Sequence, residues 1–370
     1  MNPFLVVGYK SPKYFCDRKN ETEKIISAVA NHRNLTLYSL RRVGKTALIH
    51  HSFHNLKSNK EYKLLYLDIS PTSSSEDFIN IFGTSILRQF GSQKGDLLKM
   101  VGNFFKSIRP SVEFDPLTGN PSLQFKMFTE RDVEVTIESI FELLSRQKER
   151  LAIAIDEFQQ IMNYPQQNME ALLRKNIQML TNSTFIFSGS EKHMLTSMFS
   201  DEKRPFYKST EMMHLDNIEK NVYTEFILNH FKRANINISE DVVSFILDWT
   251  KLYTFNVQYV CNKLYGLGLN KITGGTVKNI CFEILKEYQP VFLNYRNLLT
   301  AYQWNLLKAI AKEGRIKKVT SNAFINKYNL NSASSVQTGL KGLINKDLLN
   351  YEDNQYELTD IFLNRWLEIT

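Results

Sequence analysis

Ser39-Leu40-Arg41-Arg42-Val43-Gly44-Lys45-Thr46 lies between a short apolar run, Leu35-Thr36-Leu37-Tyr38, and a helical pattern over residues 45–56. Set against the phosphate-cradling pattern G-x-x-x-x-G-K-[ST], every defining position matches except the first, where Ser39 replaces glycine. Gly44 lets the backbone turn closely around a phosphate. The amides of residues 42–46 would point inward at a helix N-terminus, whose dipole favours anions. Lys45 can bridge β- and γ-phosphates, and the Thr46 hydroxyl can hold Mg²⁺. The competing reading is a chance Gly-Lys-Thr at a helix start, against which the strand-then-helix context argues.

Outward from this loop the chain alternates. Residues 21–30 show an amphipathic helix pattern, residues 63–69 read as a buried strand, and residues 75–90 as a helix capped by Ser73-Ser74-Ser75. The spacing predicts further helices over 133–148 and up to Leu180, with strands at 151–155 and 184–187. Strand and helix in turn imply a parallel α/β sheet. Residues 91–131 interrupt the pattern. There Ser111-Val112-Glu113-Phe114 and Ser122-Leu123-Gln124-Phe125 alternate around a turn-rich Asp115–Pro121 segment, which predicts an inserted β-hairpin within about residues 108–128. Such an insertion is either a partner contact or a passive flap.

A second chemical signal is Ile153-Ala154-Ile155-Asp156-Glu157. An apolar strand ending in a carboxylate puts Asp156 at the C-terminal edge of the sheet, where such folds bind ligands. Opposite Thr46 it can hold the Mg²⁺ water shell, and Glu157 can polarise an attacking water. The alternative is a surface acidic pair opening the next helix, favoured by that helix's dipole. Ser188-Gly189-Ser190 ends a third strand; Ser188 there senses the γ-phosphate or holds the water, or else caps the following helix.

From about Asp216 the pattern turns helical, with segments over 222–232, 242–251, 257–267 and 277–288. The last segment predicts helices over 302–313, 321–328 and 332–345, then strands 348–351 and 355–358 around Glu352-Asp353-Asn354, the order of a winged helix-turn-helix. The expected organisation is thus a core over 1–212, a helical lid over 213–297 and a winged helix over 298–370.

The chain has 370 residues, 43% hydrophobic and 23% charged, which fits folded domains rather than disorder. Cys16, Cys261 and Cys281 are too scattered for a disulfide framework or zinc site and read as reduced thiols. Residues 1–10 lack the features of a secretory leader, and no apolar run is long enough to span a bilayer, so the expectation is a cytoplasmic protein with no membrane partner. The net charge is +8, and residues 1–65 alone carry twelve Lys+Arg against four Asp+Glu. The excess surrounds the phosphate loop. Residues 299–370 carry nine against seven, a weak footprint for nucleic acid.

Together these residues resemble the AAA+-related P-loop ATPases of the archaeal type, close to the STAND signalling ATPases. Tyr14-Phe15-Cys16-Asp17-Arg18-Lys19-Asn20-Glu21 looks like that family's leading motif, which packs near the adenine. Ser39 to Thr46 resembles its phosphate loop, Leu65-Tyr66-Leu67-Asp68 its second strand, Asp156-Glu157 its Walker B pair, and Ser188-Gly189-Ser190 its sensor strand. The resemblance implies a P-loop NTPase α/β fold of AAA+-like type, followed by an all-α lid and a winged helix. It also implies ATP and Mg²⁺ as cofactors. Nucleotide contacts would come from Tyr14, Phe15, Arg18, Arg41, Arg42, Val43, Gly44, Lys45, Thr46 and Ala47. Metal would be held by Thr46 and Asp156, and Glu157, Lys45, Ser188 and Arg204 would act in catalysis.

Three departures stand out: Ser39 in the loop, Lys208-Ser209 where an arginine is expected after Pro205-Phe206-Tyr207, and Thr254-Phe255-Asn256-Val257-Gln258 in place of a Gly-Gly-Pro-like lid turn. Arg204 is then the nearby finger candidate; where such a finger acts, its loss costs about 10³–10⁵ in rate. The expected function is a slowly hydrolysing, nucleotide-controlled switch. The alternatives are a regulator or loader that binds double-stranded DNA through the winged helix, and a nucleotide-binding scaffold with little turnover. A protein partner, or a second copy of the chain, is the rival use of the winged helix.

Overall fold

The computed structural model describes residues 1–58, 61–90, 110–114, 119, 121–127, 129–165 and 168–370. They form two compact units, Gly8–Asp216 and a discontinuous unit of Met1–Val7 with Asn217–Thr370.

The Gly8–Asp216 unit runs α1 (Lys19–Ala30), β1 (Leu35–Tyr38), α2 (Lys45–Leu56), β2 (Tyr62–Asp68), α3 (Ser75–Phe90), β3 (Ser111–Phe114), β4 (Pro121–Gln124), α4 (Glu130–Ser145), β5 (Arg150–Asp156), a 3-10 turn (Phe158–Asn163), α5 (Met169–Met179), β6 (Ser183–Gly189), α6 (Lys192–Ser200) and β7 (Glu211–His214). Five strands form one sheet in the order β2-β5-β6-β1-β7, every pair parallel. The α/β reading holds. Its strand list lacked β7, because Glu211-Met212-Met213-His214 has no β-branched residue; pairing with β1, Leu35 to Glu211 and Tyr38 to His214, makes it a strand.

The two faces of the sheet are packed differently, and β5 shows why. Leu151, Ile153 and Ile155 point into a large core with α3 to α6, whereas Ala152 and Ala154 point to the face carrying α1 and α2. Period-two alternation of large and small side chains lets α2, which follows the phosphate loop, lie close to the sheet. Each large side chain so buried contributes about 1.5–3 kcal/mol.

The hairpin is fixed to the core by an unusual route. Glu76, Asn80 and Thr84, one turn apart on α3, accept the backbone amides of Met127, Phe125 and Leu123 at 3.0, 2.7 and 3.0 Å. Gly83 makes room for it, since a Cβ there would lie 2.9 Å from the Phe125 ring. The turn of the hairpin, like most of residues 91–131, lies outside the described residues.

The second unit comprises α7 (Lys220–Arg233), β8 (Asn237–Ile238), α8 (Glu240–Trp249), α9 (Thr254–Gly266), β9 (Lys271–Ile272), α10 (Gly274–Leu298), α11 (Ala301–Glu313), α12 (Asn322–Lys327), α13 (Ala333–Ile344), β10 (Leu349–Glu352), β11 (Gln355–Leu358) and α14 (Ile361–Ile369). α10 continues through Pro290, ten residues past its expected end at Tyr288. Pro290 is exposed, so the carbonyl it deprives of a donor can meet water, and buried Phe292 stacks on Tyr288 to hold the far side.

Ser321, Ser332 and Asp360 cap α12, α13 and α14 with their side-chain oxygens. Asp353 and Asn354, both at positive φ, make the two-residue wing turn between antiparallel β10 and β11. The N-terminal segment belongs to this unit: Phe4 is fully buried against Phe231 at 5.2 Å, and Asn2 and Asn262 exchange side-chain hydrogen bonds with backbone carbonyls.

α14, absent from the sequence reading, ties the winged helix to the preceding helices. Phe362 packs against Trp249, Phe255, Tyr259 and Tyr288, and Arg365 donates to the carbonyls of Trp249 (2.9 Å) and Asp248 (3.0 Å) at the end of α8. Carbonyls in the last turn of a helix lack the usual i+4 donor, and Arg365 adds to the backbone donors that Asp248 O finds in the turn that follows. Within the wing, Arg315 grips both carboxylate oxygens of buried Glu357 at 2.7 and 2.8 Å. Arg315→Ala would leave that carboxylate without its main partner. It is expected to lower stability by about 1–3 kcal/mol, read by denaturant titration.

Candidate functional site

The loop after β1 lies at the C-terminal edge of the sheet, as do the ends of β5 and β6. Gly44 has φ 112°, a conformation open to glycine but costly for other residues, and Arg42 also adopts positive φ, at 69°. Ser39 is not among the positive-φ residues, so serine replaces the first glycine without backbone strain.

Lys45 is buried, and its ammonium donates to Ser39 O (3.2 Å), Ser39 Oγ (3.3 Å) and Leu40 O (3.0 Å). Burial pulls its pKa down, opposed by the charges of Glu157 and Asp156.

Asp156 is the hub of the arrangement. Its Oδ2 accepts from Thr46 Oγ1 at 2.6 Å and from Tyr66 OH at 2.8 Å; its Oδ1 accepts from Ser188 Oγ and from Glu157 N. Four donors on one buried carboxylate satisfy its charge in place of water. The Ser188 hydroxyl is thus directed at Asp156. Glu157, at φ 57°, turns away from the strand. Its Oε2 accepts from Ser190 Oγ (2.7 Å), Ser190 N (3.2 Å) and Gln159 Nε2 (2.6 Å). A Cβ at Gly189 would come within 2.1 Å of Gln159 Oε1, so a larger residue there would displace the Gln159 side chain that holds Glu157.

The remaining expected residues fall into three groups. Arg18, buried, donates to Val43 O at 3.5 Å and pairs with Glu21 at 2.9 Å, so it braces the loop backbone. Arg41 reaches Ser190 Oγ at 3.2 Å, joining the loop to the residue that holds Glu157. Ala47 follows Thr46 in the first turn of α2.

Phe15 stacks on His51 at 4.1 Å, and Tyr9 OH shares a hydrogen bond with His51 Nδ1 at 3.1 Å. The Tyr14 ring lies under Lys10 and Lys13 at 6.0 and 5.7 Å. Arg204 is engaged elsewhere: it pairs with Glu170 at 3.4 Å and donates to Met162 Sδ. Tyr66 and Gln159 were not singled out in sequence. The signal for Tyr66 was a lone hydroxyl in the apolar run Leu64-Leu65-Tyr66-Leu67; Gln159 gave none.

A family of ATPase domains predominantly from Archaea matches residues 15–251. The chain belongs to this ATPase family. A second match, described as a probable winged helix domain, covers residues 290–369. Among solved structures, this archaeal-type ATPase is similar to the Walker-type ATPase PABY2304 of Pyrococcus abyssi, with a TM-score of 0.67, 18% identity and 99% of each chain covered. It is also similar to the Aeropyrum pernix ORC2 protein in ADPNP–ADP complexes, with a TM-score of 0.62, 14% identity and coverage of 100% of this chain and 96% of that one. The Aeropyrum pernix ORC1 protein in complex with DNA gives a TM-score of 0.52 at 12% identity, over 97% and 94% of the two chains. No curated protein matches.

These likenesses show the fold: a P-loop NTPase core of AAA+ type with a helical region and a C-terminal winged helix. Among the described residues, no helix of this archaeal-type ATPase is long and apolar enough to cross a membrane.

Proposed function

We propose that the protein is a Mg²⁺-dependent ATPase that works as a nucleotide-controlled switch. The observation that carries this reading is the Thr46–Asp156 hydrogen bond, 2.6 Å, beside the buried Lys45 ammonium. It brings two separated motifs together at one edge of the sheet. A hydroxyl and a carboxylate are hard oxygen donors, the kind Mg²⁺ takes. The residues therefore fit the ion, and Thr46 and Asp156 would hold it; when bound it supplies charge neutralisation for the phosphates.

The chain's own groups do the rest. The amides of residues 42–46 and Lys45 bind the phosphates, with Arg41 and Arg42 adding positive charge. Tyr14, Phe15 and Arg18 line the approach for the base. Glu157 receives the proton of the attacking water, held in place by Ser190 and Gln159, while Ser188 keeps Asp156 aimed at the site. Arg204 is the arginine available for the developing phosphate charge once its pair with Glu170 parts, which makes slow turnover the expectation.

In this reading the core over 8–216 hydrolyses ATP, and the helical region (217–297, with residues 1–7) and winged helix (298–370) report its state together, because α14 binds one to the other. Equilibrium titration of ATP with and without Mg²⁺ tests it. Absence of binding under both conditions ends the proposal.

A second reading, DNA binding, is favoured by one feature. α13 and its cap expose Ser332, Ser334, Gln337, Thr338 and Lys341 along one side, and the ORC1 structure similar in fold was solved with DNA. Against it, Arg315 is held chiefly by Glu357, with only a lesser interaction toward Glu352, so the acidic wing tip of Glu352 and Asp353 still faces a phosphate backbone unfavourably. Truncation at residue 299 would strip Phe362 and Trp366 from the neighbouring helices, so the test is substitution. If α13 reads DNA, duplex affinity falls steeply with salt, and Gln337→Glu with Lys341→Glu reduces it at least tenfold, measured by fluorescence anisotropy. Equal affinity for the double variant would eliminate this use of α13.

A further inference from the structure

Neither motif that places Asp156 supplies all of its donors. Tyr66 belongs to β2, paired with β5 so that Tyr66 lies beside Ala154 and Asp68 beside Asp156. From there its hydroxyl reaches Asp156 Oδ2 at 2.8 Å. We infer that Tyr66 is a positioning residue that fixes Asp156 for the divalent cation accompanying the nucleotide. The inference rests on the function proposed above.

Two observations carry it. The first is the division of donors on Asp156: Oδ1 is served by Ser188 and the Glu157 amide, and Oδ2 by Thr46 and Tyr66. Thr46 has a second task, holding the cation, so Tyr66 is the donor on Oδ2 with no other role. A carboxylate pinned through both oxygens keeps its orientation when one donor turns to a ligand.

The second observation is how the phenol itself is held. Its ring packs on His50 at 4.4 Å, and His50 lies one turn beyond Thr46 on α2. The ring therefore spans the sheet strand and the helix that carries the phosphate loop, and its place does not depend on the hydroxyl alone. A serine or threonine too short to cross from β2 could not take its place.

The experiment measures ATP affinity at a series of Mg²⁺ concentrations and in EDTA, for the full chain and for Tyr66→Phe, which keeps the ring against His50. The expected result is about a tenfold rise in the Mg²⁺ concentration giving half the metal-dependent gain in affinity, within the range for loss of an outer partner of a metal ligand. Affinity in EDTA and the thermal midpoint should be unchanged. A merely structural hydroxyl would instead lower the thermal midpoint, or weaken binding with and without Mg²⁺, and would leave the Mg²⁺ midpoint where it was; that pattern overturns the inference. If the unmodified chain binds ATP equally with Mg²⁺ and in EDTA, the metal part of the proposed function fails first. If its affinity does depend on Mg²⁺ and Tyr66→Phe matches it, only the role of Tyr66 fails.

Discussion

Glu157→Gln is expected to reduce phosphate release by about 10²–10⁴-fold, the usual contribution of a positioned general base, while ATP still binds. The geometry makes this substitution clean. The carboxylate is anchored through Oε2 by Ser190 Oγ, Ser190 N and Gln159 Nε2, and a glutamine can present its carbonyl oxygen to the same donors. Shape and position survive; the ability to take up a proton does not. Single-turnover phosphate release, run beside a binding titration on the same preparation, reads the two separately. Release at the unmodified rate would remove Glu157 from the chemistry. Measurable release in the unmodified chain, abolished in the variant, would exclude the scaffold alternative.

Lys45→Ala should weaken ATP binding by about 10–100-fold, since a charge-assisted hydrogen bond is worth about 1.5–3 kcal/mol. Two effects oppose each other here. The ammonium is buried, and burial already disfavours its charged form, so removing it relieves a desolvation cost in the nucleotide-free protein. It also frees the carbonyls of Ser39 and Leu40, to which the ammonium donates. The expected signature is therefore a thermal midpoint little changed without nucleotide, together with loss of the upward shift that saturating ATP gives the unmodified chain. A variant that keeps that shift would show that Lys45 holds only the loop.

The phosphate loop and the acidic strand end were legible because each is a contiguous pattern whose residue types have one physical use. Most helices were legible through their apolar spacing, and α3 also through the serines that lead into it. What escaped was set by partners distant in sequence. β7 is a strand only because β1 lies beside it, α14 is placed by Phe362 and Arg365 meeting helices more than a hundred residues earlier, and α10 outlasts Pro290 because Phe292 is buried. The same distinction runs through the site. Thr46, Asp156 and Glu157 were named from sequence, whereas Tyr66, Gln159 and the brace between Arg18 and Val43 depend on side chains meeting across elements. No local pattern encodes such meetings.

The placement of Phe4 has a consequence for the order in which the chain assembles. Asn2 hydrogen-bonds to a carbonyl 260 positions away, and Phe4 fills a site built by α7 and α9. Everything between Val7 and Asn217 belongs to the other unit. During synthesis the ATPase core can therefore collapse on contacts that are already present, while Phe4 meets no native partner until α7 has emerged and has its full surroundings only after Tyr265. Closing so long a loop adds little to the equilibrium cost, which grows only logarithmically with length, but it defers the contact. Residues 1–7 are made before the ATPase core yet find their place after it.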